Sequence, residues 1–106
     1  MWGSLISNFN LEVYPFDYNK LYDWNEAILE CEKLGGGWRL PTVDEMSLIN
    51  EQLYKKNIGH FEEKEYWCSN YDDKEDALFF AFYASGDFSA LPKNEKLKIR
   101  PVRKLN

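Results

Sequence analysis

Hydrophobic and polar residues follow one another in patterns that predict a strand and then a helix in the first third of the chain. Residues 9–14 (FNLEVY) alternate between apolar and polar side chains before Pro15, which predicts a strand with one buried face. Asp23 and Glu26 form a potential capping box, so a helix is expected to begin directly after Asp23. The apolar stripe of this helix consists of Trp24, Ala27, Ile28, Cys31 and Leu34.

A second helix is predicted immediately after the triple glycine at 35–37. These glycines end the first helix, because glycine adopts left-handed backbone conformations without steric cost. Thr42 is the predicted N-cap of the second helix, and Glu45 is its capping-box partner. The helix should fade at residues 54–56 and end at Asn57 or Gly59. Its expected buried stripe is Val43, Met46, Ile49 and Leu53.

The second half of the chain has the short apolar runs and polar turns of an antiparallel sheet. The expected strands are residues 66–69, 77–84, 88–91 and 96–103, separated by a polar loop at 70–76 and turns at 85–87 and 92–95. Residues 77–84 are apolar at alternating positions on both faces, so this strand should be central and covered on both sides. Pro101 cannot donate a ladder hydrogen bond and suits an edge or a strand end. The order of elements predicts a single α+β domain spanning residues 1–106.

The charge of the chain is unevenly distributed. The net charge of −5 divides into +5 on residues 92–106 and −10 on residues 1–91. An acidic body argues against nonspecific binding to nucleic acid, and no run of apolar residues approaches the ~20 needed to span a membrane. Aromatic residues make up 17% of the chain, which suits either a rich core or an aromatic binding surface. The amino-terminal residues do not resemble a secretory signal, so a cytoplasmic location is expected.

Several motifs together resemble those of one known family. They are Trp24, Ala27 and Cys31, then Leu34-Gly35, Gly37-Trp38-Arg39-Leu40-Pro41-Thr42 and Glu45, Tyr66-Trp67, and the closing Ile99-Arg100-Pro101-Val102-Arg103. This pattern resembles the Lcl C-terminal domain family, whose bacterial and phage members have a C-type-lectin-like fold related to that of formylglycine-generating enzyme. The resemblance extends from Leu11 to Arg103. It implies two helices flanking a small twisted antiparallel sheet.

The resemblance also gives the glycine corner and its neighbours a structural role. Trp38 and Leu40 are expected to anchor the connection between the helices in the core, and Arg39 to pair with Glu45 or with backbone carbonyls; binding of a ligand by Arg39 is the alternative. Two departures from the family pattern matter. Cys68 stands where the family commonly has serine, which weakens the idea of a Cys31–Cys68 disulfide. The apolar run at 79–82 replaces a glycine- and asparagine-rich strand, so the binding surface is expected to differ.

The sequence offers little support for three kinds of site chemistry. A calcium site could draw on four residues of one loop, Asn70, Asp72, Asp73 and Asp76. However, the sequence contains neither Glu-Pro-Asn nor Trp-Asn-Asp, the tripeptides of calcium-dependent lectins. We therefore expect a solvated acidic loop at these residues. Oxidase chemistry needs two reactive cysteines close together, whereas Cys31 and Cys68 both fall in predicted core elements. His60 is the only histidine and has no evident orienting partner. We therefore expect neither an enzyme, nor a bound metal, nor a cofactor.

The remaining expectation is a binding module that recognises a protein through the loops at the sheet. The predicted ligand-binding residues are Tyr71, Asp72, Asp73, Asp87 and Phe88, because exposed aromatic side chains ringed by acidic residues suit a protein interface. The loop at 70–76 and the turn at 85–88 are expected to be neighbours. The structural alternative is that Phe88 packs inward and Tyr71 is an ordinary loop residue.

The sequence is also compatible with partners of other kinds. A glycan is the second candidate ligand, and a phage-type inhibitor that occupies a basic site on a host protein is another, since the acidic body would favour it. No nucleic acid and no membrane partner is expected. The oligomeric state is undetermined by the sequence, although a trimer would follow the habit of the family. Both cysteines are expected to be reduced structural residues.

Overall fold

The computed structural model describes residues 4–6, 10–71, 73–82 and 86–105, which form two helices and two antiparallel sheets. The helices are α1 (Trp24–Lys33) and α2 (Val43–Gln52), and a single 3₁₀ turn (Tyr54–Lys56) follows α2. The strands are β1 (Ser4–Ile6), β2 (Leu11–Val13), β3 (Glu65–Tyr71), β4 (Asp76–Ala81), β5 (Asp87–Pro92) and β6 (Val102–Lys104). One sheet has the strand order β1-β2-β6 and the other β3-β4-β5. The fold class is α+β, as the sequence predicts.

Both helices begin at the capping boxes that the sequence predicts. The side chain of Asp23 accepts a hydrogen bond from the backbone N–H of Glu26 at 2.8 Å, and Thr42 accepts one from Glu45 at 3.1 Å. The reciprocal carboxylate bonds to the cap backbone are present in both boxes. All three glycines at 35–37 have positive φ angles and end α1, and Asn57, with φ of 58°, closes the turn after α2.

The core consists of two groups of side chains on opposite faces of the β3-β4-β5 sheet. Strand β4 supplies both groups, because alternate side chains of a strand point to opposite faces. On one face, Ala77, Phe79 and Ala81 pack with α1. On the other, Phe80 and Phe82 pack with α2 and with β2 and β6 of the second sheet. The prediction that residues 77–84 contain a central strand covered on both sides is confirmed for residues 77–81; the buried Phe82 follows the end of the strand, and residues 83 and 84 lie outside the described part.

The closing segment differs from its prediction. Residues 96–103 do not form one continuous strand: Leu97 and Lys98 make isolated bridges, and β6 begins only at Val102. The Lys98 backbone bridges to β3, while Val102 joins β2, so the segment passes from one sheet to the other. Pro101 lies between these two parts, where its missing N–H breaks no ladder.

Strands β2 and β3 also have bounds that differ from the predictions. The expected strand at 9–14 is confirmed as Leu11–Val13, whose two apolar side chains are fully buried, and Phe9 lies outside the described residues. Asn10 precedes the strand with a positive φ of 50°. The third strand extends to Tyr71, so Asn70 and Tyr71 belong to a strand and not to the polar loop. Within the described part of the chain, no helix has the length and apolar character needed to cross a membrane.

Candidate functional site

Tyr71, the first predicted site residue, is the most exposed of the large hydrophobic side chains that the structure describes. It ends β3 with 64% of its surface accessible. Its ring lies edge-on to the buried ring of Trp24, the first residue of α1, with 5.9 Å between the ring centroids. Edge-to-face aromatic pairs at this separation are attractive. Tyr71 is therefore an exposed aromatic side chain with a fixed orientation.

Lys93 completes this arrangement, and the sequence analysis did not identify it. Its Nζ lies 4.7 Å from the centroid of the Trp24 ring and 5.1 Å from that of Tyr71. It also donates a hydrogen bond to the backbone carbonyl of Lys74 at 3.0 Å. A cation close to two aromatic rings gains from both ring quadrupoles. No sequence spacing reveals this contact, because the three residues come from a helix, a strand and a turn.

The acidic loop next to Tyr71 is held by its own side chains. Asp73 Oδ1 accepts hydrogen bonds from the backbone N–H groups of Glu75 and Asp76, at 2.8 and 2.9 Å. These bonds lower the pKa of the Asp73 carboxyl, since they favour its charged form. Asp72 lies outside the described residues. The loop therefore presents an ionised carboxylate, held by two backbone hydrogen bonds, two residues along the chain from Tyr71.

An open cleft of about 480 Å³ adjoins this end of the sheet. It separates the first turn of α1 from the β3–β4 loop and the turn after β5. Its lining residues are polar except for one proline, and they are Asp23, Asn25, Lys74, Glu75, Asp76, Pro92, Lys93 and Asn94. Together with Tyr71, Trp24 and Asp73, the cleft forms what we call the Tyr71 surface.

The other two predicted site residues lie elsewhere. Asp87 and Phe88 begin β5, and Phe88 is 50% exposed, so the alternative in which it packs inward is wrong. Asp87 Oδ1 accepts a hydrogen bond from the N–H of Phe88 at 2.8 Å. This pair stands at the end of β4 that is opposite to the β3–β4 loop.

The expectation that the loop and the turn are neighbours is therefore wrong. Tyr71 is paired with Ala77, whereas Phe88 is paired with Phe80, three residues further along β4. Three residues correspond to about 10 Å along a strand. Directly opposed residues share a face, so Tyr71 lies on the α1 side of the sheet and Phe88 on the α2 side. Because β4 runs through the sheet between two connections, these necessarily lie at its opposite ends.

The cysteines are placed as core residues without nucleophilic character. Cys31 and Cys68 are free, fully buried, and belong to the two separate core groups on opposite faces of the sheet. Burial raises the pKa of Cys31 to about 12, and burial also raises that of Cys68. A thiol with so high a pKa is protonated at neutral pH and is a poor nucleophile.

The described residues do not show a constellation that would bind a metal. No group of three or more histidine, cysteine, aspartate or glutamate side chains has metal-binding proximity within the described ranges. His60 has a positive φ of 56°, and its carbonyl accepts a hydrogen bond from Arg100 at 3.2 Å. This backbone contact gives the His60 segment a structural role.

Arg39 has the structural role expected of it. Its two terminal nitrogens each donate to one carboxylate oxygen of Glu45, both at 2.8 Å. Leu40 is 2% exposed and anchors the connection, as predicted. Trp38 is not in the core: it is half-buried, packs edge-on against Tyr14 at 5.3 Å, and lies under the guanidinium of Arg103 at 4.6 Å. Its indole therefore packs against a side chain of β6.

The two helices, the central antiparallel sheet and the return of the last strand, β6, to pair with β2 near the start of the chain define a C-type-lectin-like fold. Among solved structures, the chain is similar to EMS16, an antagonist of the collagen receptor integrin α2β1. The TM-score is 0.69, and the superposition covers 98% of this chain and 97% of that one. Sequence identity is 11%, so the likeness concerns the fold alone. No protein-family model matches the chain, and no curated protein sequence matches it.

Proposed function

We propose that this domain is a non-enzymatic binding module that recognises a protein partner through the Tyr71 surface. The observation that carries the proposal is an exposed tyrosine held in place by Trp24 and Lys93. Aromatic side chains dominate the binding energy of many interfaces, and a side chain that is already ordered loses little entropy when it binds. Asp73 would add negative charge at the rim of this surface, and Asp72, which precedes it in the sequence, stays part of the proposed site. The neighbour EMS16 is itself an antagonist of a protein receptor, which agrees with this use of the fold.

Asp87 and Phe88 form a separate part of the proposed binding surface. Both residues are at the other end of β4 from Tyr71, and Phe88 also lies on the other face of the sheet, so a partner that covers Tyr71 leaves Phe88 free. The proposal therefore expects two contact regions that can be tested independently. We also propose a cytoplasmic setting, which the two buried free thiols support, and membership of the Lcl C-terminal domain family, which the structural roles of Trp24, Leu40 and Glu45 support.

The experiment that tests the proposal compares single variants at the two regions. Tagged wild-type protein, Tyr71→Ala and Phe88→Ala would each be used to capture partners from host lysate, with identification by mass spectrometry. The captured protein would then be purified and its affinity for each variant measured. Tyr71→Ala is expected to weaken binding by about 2 kcal/mol, which is about 30-fold, as for a central aromatic anchor. Equal affinity for wild type and Tyr71→Ala would refute the proposed surface.

The acidic body favours one further candidate, an inhibitor that occupies a basic site on its target. Residues 1–91 carry a net charge of −10, and a complex formed through such charge should weaken strongly as salt is added. Affinity measured between low and physiological ionic strength separates this case from an interface dominated by Tyr71. Glycan binding, the other candidate, would be supported by stacking of a sugar on Tyr71, and a glycan array read with and without calcium tests it.

A further inference from the structure

Strand β5 is an edge strand whose outer side is open. Within the described residues β4 is its only partner strand. An open strand edge presents backbone N–H and C=O groups that can pair with another strand. Most of β5 carries no charge, since its sequence from Phe88 to Pro92 is FSALP. What this edge can bind depends on which of its backbone groups point outward.

The hydrogen bonds on either side of β4 fix the direction of those groups. The N–H of Trp67 donates to the carbonyl of Lys98 at 3.0 Å, so Trp67 points its backbone groups away from β4. Directly opposed residues of an antiparallel pair either both point their backbone N–H and C=O at each other or both point them away. Phe79 is opposite Trp67, so its N–H and C=O also point away from that pair, toward β5. Just after the other end of β5, the N–H of Lys93 donates to the carbonyl of Glu75 at 2.8 Å. Lys93 therefore points its N–H inward, as the alternation along β5 requires. The outward-facing residues of β5 are therefore Phe88, Ala90 and Pro92.

Two of these three residues have no free N–H. The N–H of Phe88 is occupied by Asp87 Oδ1 at 2.8 Å. Pro92 has no N–H, and its carbonyl accepts a hydrogen bond from Glu95 at 3.0 Å. Ala90 alone retains both an outward N–H and an outward C=O with no partner among the described residues. Within the described residues, the edge therefore has one position, at the middle of the strand, that can both donate and accept a backbone hydrogen bond.

We propose that this position pairs with Ala90 of a second copy of the same chain, forming a two-fold symmetric dimer across the β5 edges. An antiparallel arrangement centred on Ala90 satisfies the N–H and C=O of both copies at once. The same register sets Phe88 opposite Pro92 of the other copy, so the half-exposed ring gains an apolar neighbour. A longer peptide strand would meet blocked groups on both sides of Ala90 and gains less from this edge.

Charge complementarity supports the same register. With Ala90 opposite its equivalent, Asp87 of one copy is opposite Lys93 of the other, and this pairing occurs twice because of the symmetry. Both residues lie on the α1 side of the sheet, since alternate residues from 87 to 93 share a face. Opposite charges directly across two strands are stabilising. Each copy carries a net charge of −5, so we expect a weak, concentration-dependent dimer.

The proposal goes beyond the proposed function, and its first test does not alter Tyr71. Light scattering and sedimentation would be measured from about 10 µM to 1 mM, a range suited to a small interface. Wild-type protein is expected to shift from 12.6 kDa toward twice that mass. Ala90→Pro removes the central N–H without touching the β4 ladder and should weaken association about tenfold or more. Ala90→Ser keeps the N–H and is the matched control.

A charge exchange tests the register itself. Asp87→Lys and Lys93→Glu should each weaken self-association, because like charges then face each other in both pairs. An equimolar mixture of the two variants places opposite charges together in both pairs and should associate more strongly than either variant alone. Circular dichroism would confirm that each variant is folded. A wild-type monomer at the highest concentration, dimerisation of Ala90→Pro equal to that of wild type, or a mixture no stronger than its components would each overturn the proposal.

Discussion

Arg100 illustrates how a single residue can join distant parts of this chain. Its side chain is 1% exposed, and its guanidinium donates to Asp17 at 2.9 Å and to the carbonyl of Gly59 at 2.7 Å. The planar group also stacks on Phe61 at 4.0 Å. Burial lowers the pKa of Arg100, and the carboxylate of Asp17 opposes that effect. The loop between α2 and β3 is thereby tied to the closing segment by one charged side chain.

Replacement of this arginine should be severely destabilising. Arg100→Met keeps much of the volume but leaves the carboxylate of Asp17 and several carbonyls without their buried donor. We expect a loss of about 3–5 kcal/mol in the free energy of unfolding, measured by urea denaturation. Lys33→Met, at an ion pair whose lysine is 72% exposed, is the control and should have no measurable effect. Similar midpoints for the two variants would mean that the Arg100 network contributes little.

Glu45 makes the stability of the protein depend on pH. Burial alone would raise the pKa of its carboxyl, but the hydrogen bonds from Arg39 and from the Thr42 backbone outweigh burial and lower it. A carboxyl with a lowered folded pKa stabilises the protein fully above its unfolded pKa of about 4.3, and this contribution disappears as the pH falls through the folded value. At pH 7 the free energy of unfolding of the wild-type protein should therefore exceed that of Glu45→Gln by about 1 kcal/mol.

That difference should shrink as the solution is acidified below about pH 4.5. Chemical denaturation of both proteins at several pH values between 3 and 7 measures it. Plotted against pH, the unfolding free energies of the two proteins should run parallel above about pH 5 and converge below it. A constant difference over the whole range would show that the charge of Glu45 does not contribute, and that only its capping geometry matters.

At the level of elements, the helices were predicted better than the strands. The helix starts were correct because a capping box is a local interaction, complete within four residues. The strand bounds depend on partners far away in sequence. β3 continues to Tyr71 because Ala77 is available to pair with it, and the predicted strand at 96–103 is divided because its two ends pair with different sheets. Periodicity alone does not contain that information.

The turn between β4 and β5 contacts α2 at a position that only glycine fits. Gly86 has a positive φ of 80°, and a Cβ there would lie 2.6 Å from Nδ2 of the buried Asn50 side chain. Gly86→Ala should therefore cost about 2 kcal/mol, from backbone strain together with this clash. Gly35→Ala is the matched control, because its φ of 67° is similar but nothing lies within 4 Å. Gly35→Ala is expected to lower the free energy of unfolding by about 1 kcal/mol.

Thermal or urea unfolding of both glycine variants gives the comparison. The excess cost at Gly86 should disappear in an Asn50→Ala background, since the atoms that clash are then absent. If Gly86→Ala remains equally costly in that background, backbone strain is its whole effect. Equal losses at Gly86 and Gly35 in the wild-type background would lead to the same conclusion.

At the scale of the whole molecule, two core groups share one central strand. Phe79 faces α1 and Phe80 faces α2, so neither group can be lost without exposing a face of β4. Cys31 and Cys68 report on the two groups separately, because one lies in each. A domain of this size is expected to unfold as one cooperative unit.

Thiol reactivity measures that cooperativity. In native protein both cysteines should react very slowly with an aromatic disulfide reagent, because they are buried and their pKa values are raised. Both thiols should react at one common rate, which is set by the global opening of the domain. Added reductant should not change the unfolding midpoint, because both cysteines are free. Cys31→Ala and Cys68→Ala, studied separately, assign each rate. Rates that differ by orders of magnitude would mean that the two faces open independently.

The sequence by itself determined the local features: both capping boxes, the glycine end of α1 and the apolar identity of β4. Each rests on interactions between near neighbours or on the amount of apolar surface in a short segment. Only the tertiary structure decided where the site residues lie relative to one another. Strand pairing set Tyr71 and Phe88 on opposite faces, brought Lys93 onto the ring of Tyr71, and left Ala90 as the open position of the edge, since these depend on register and not on composition.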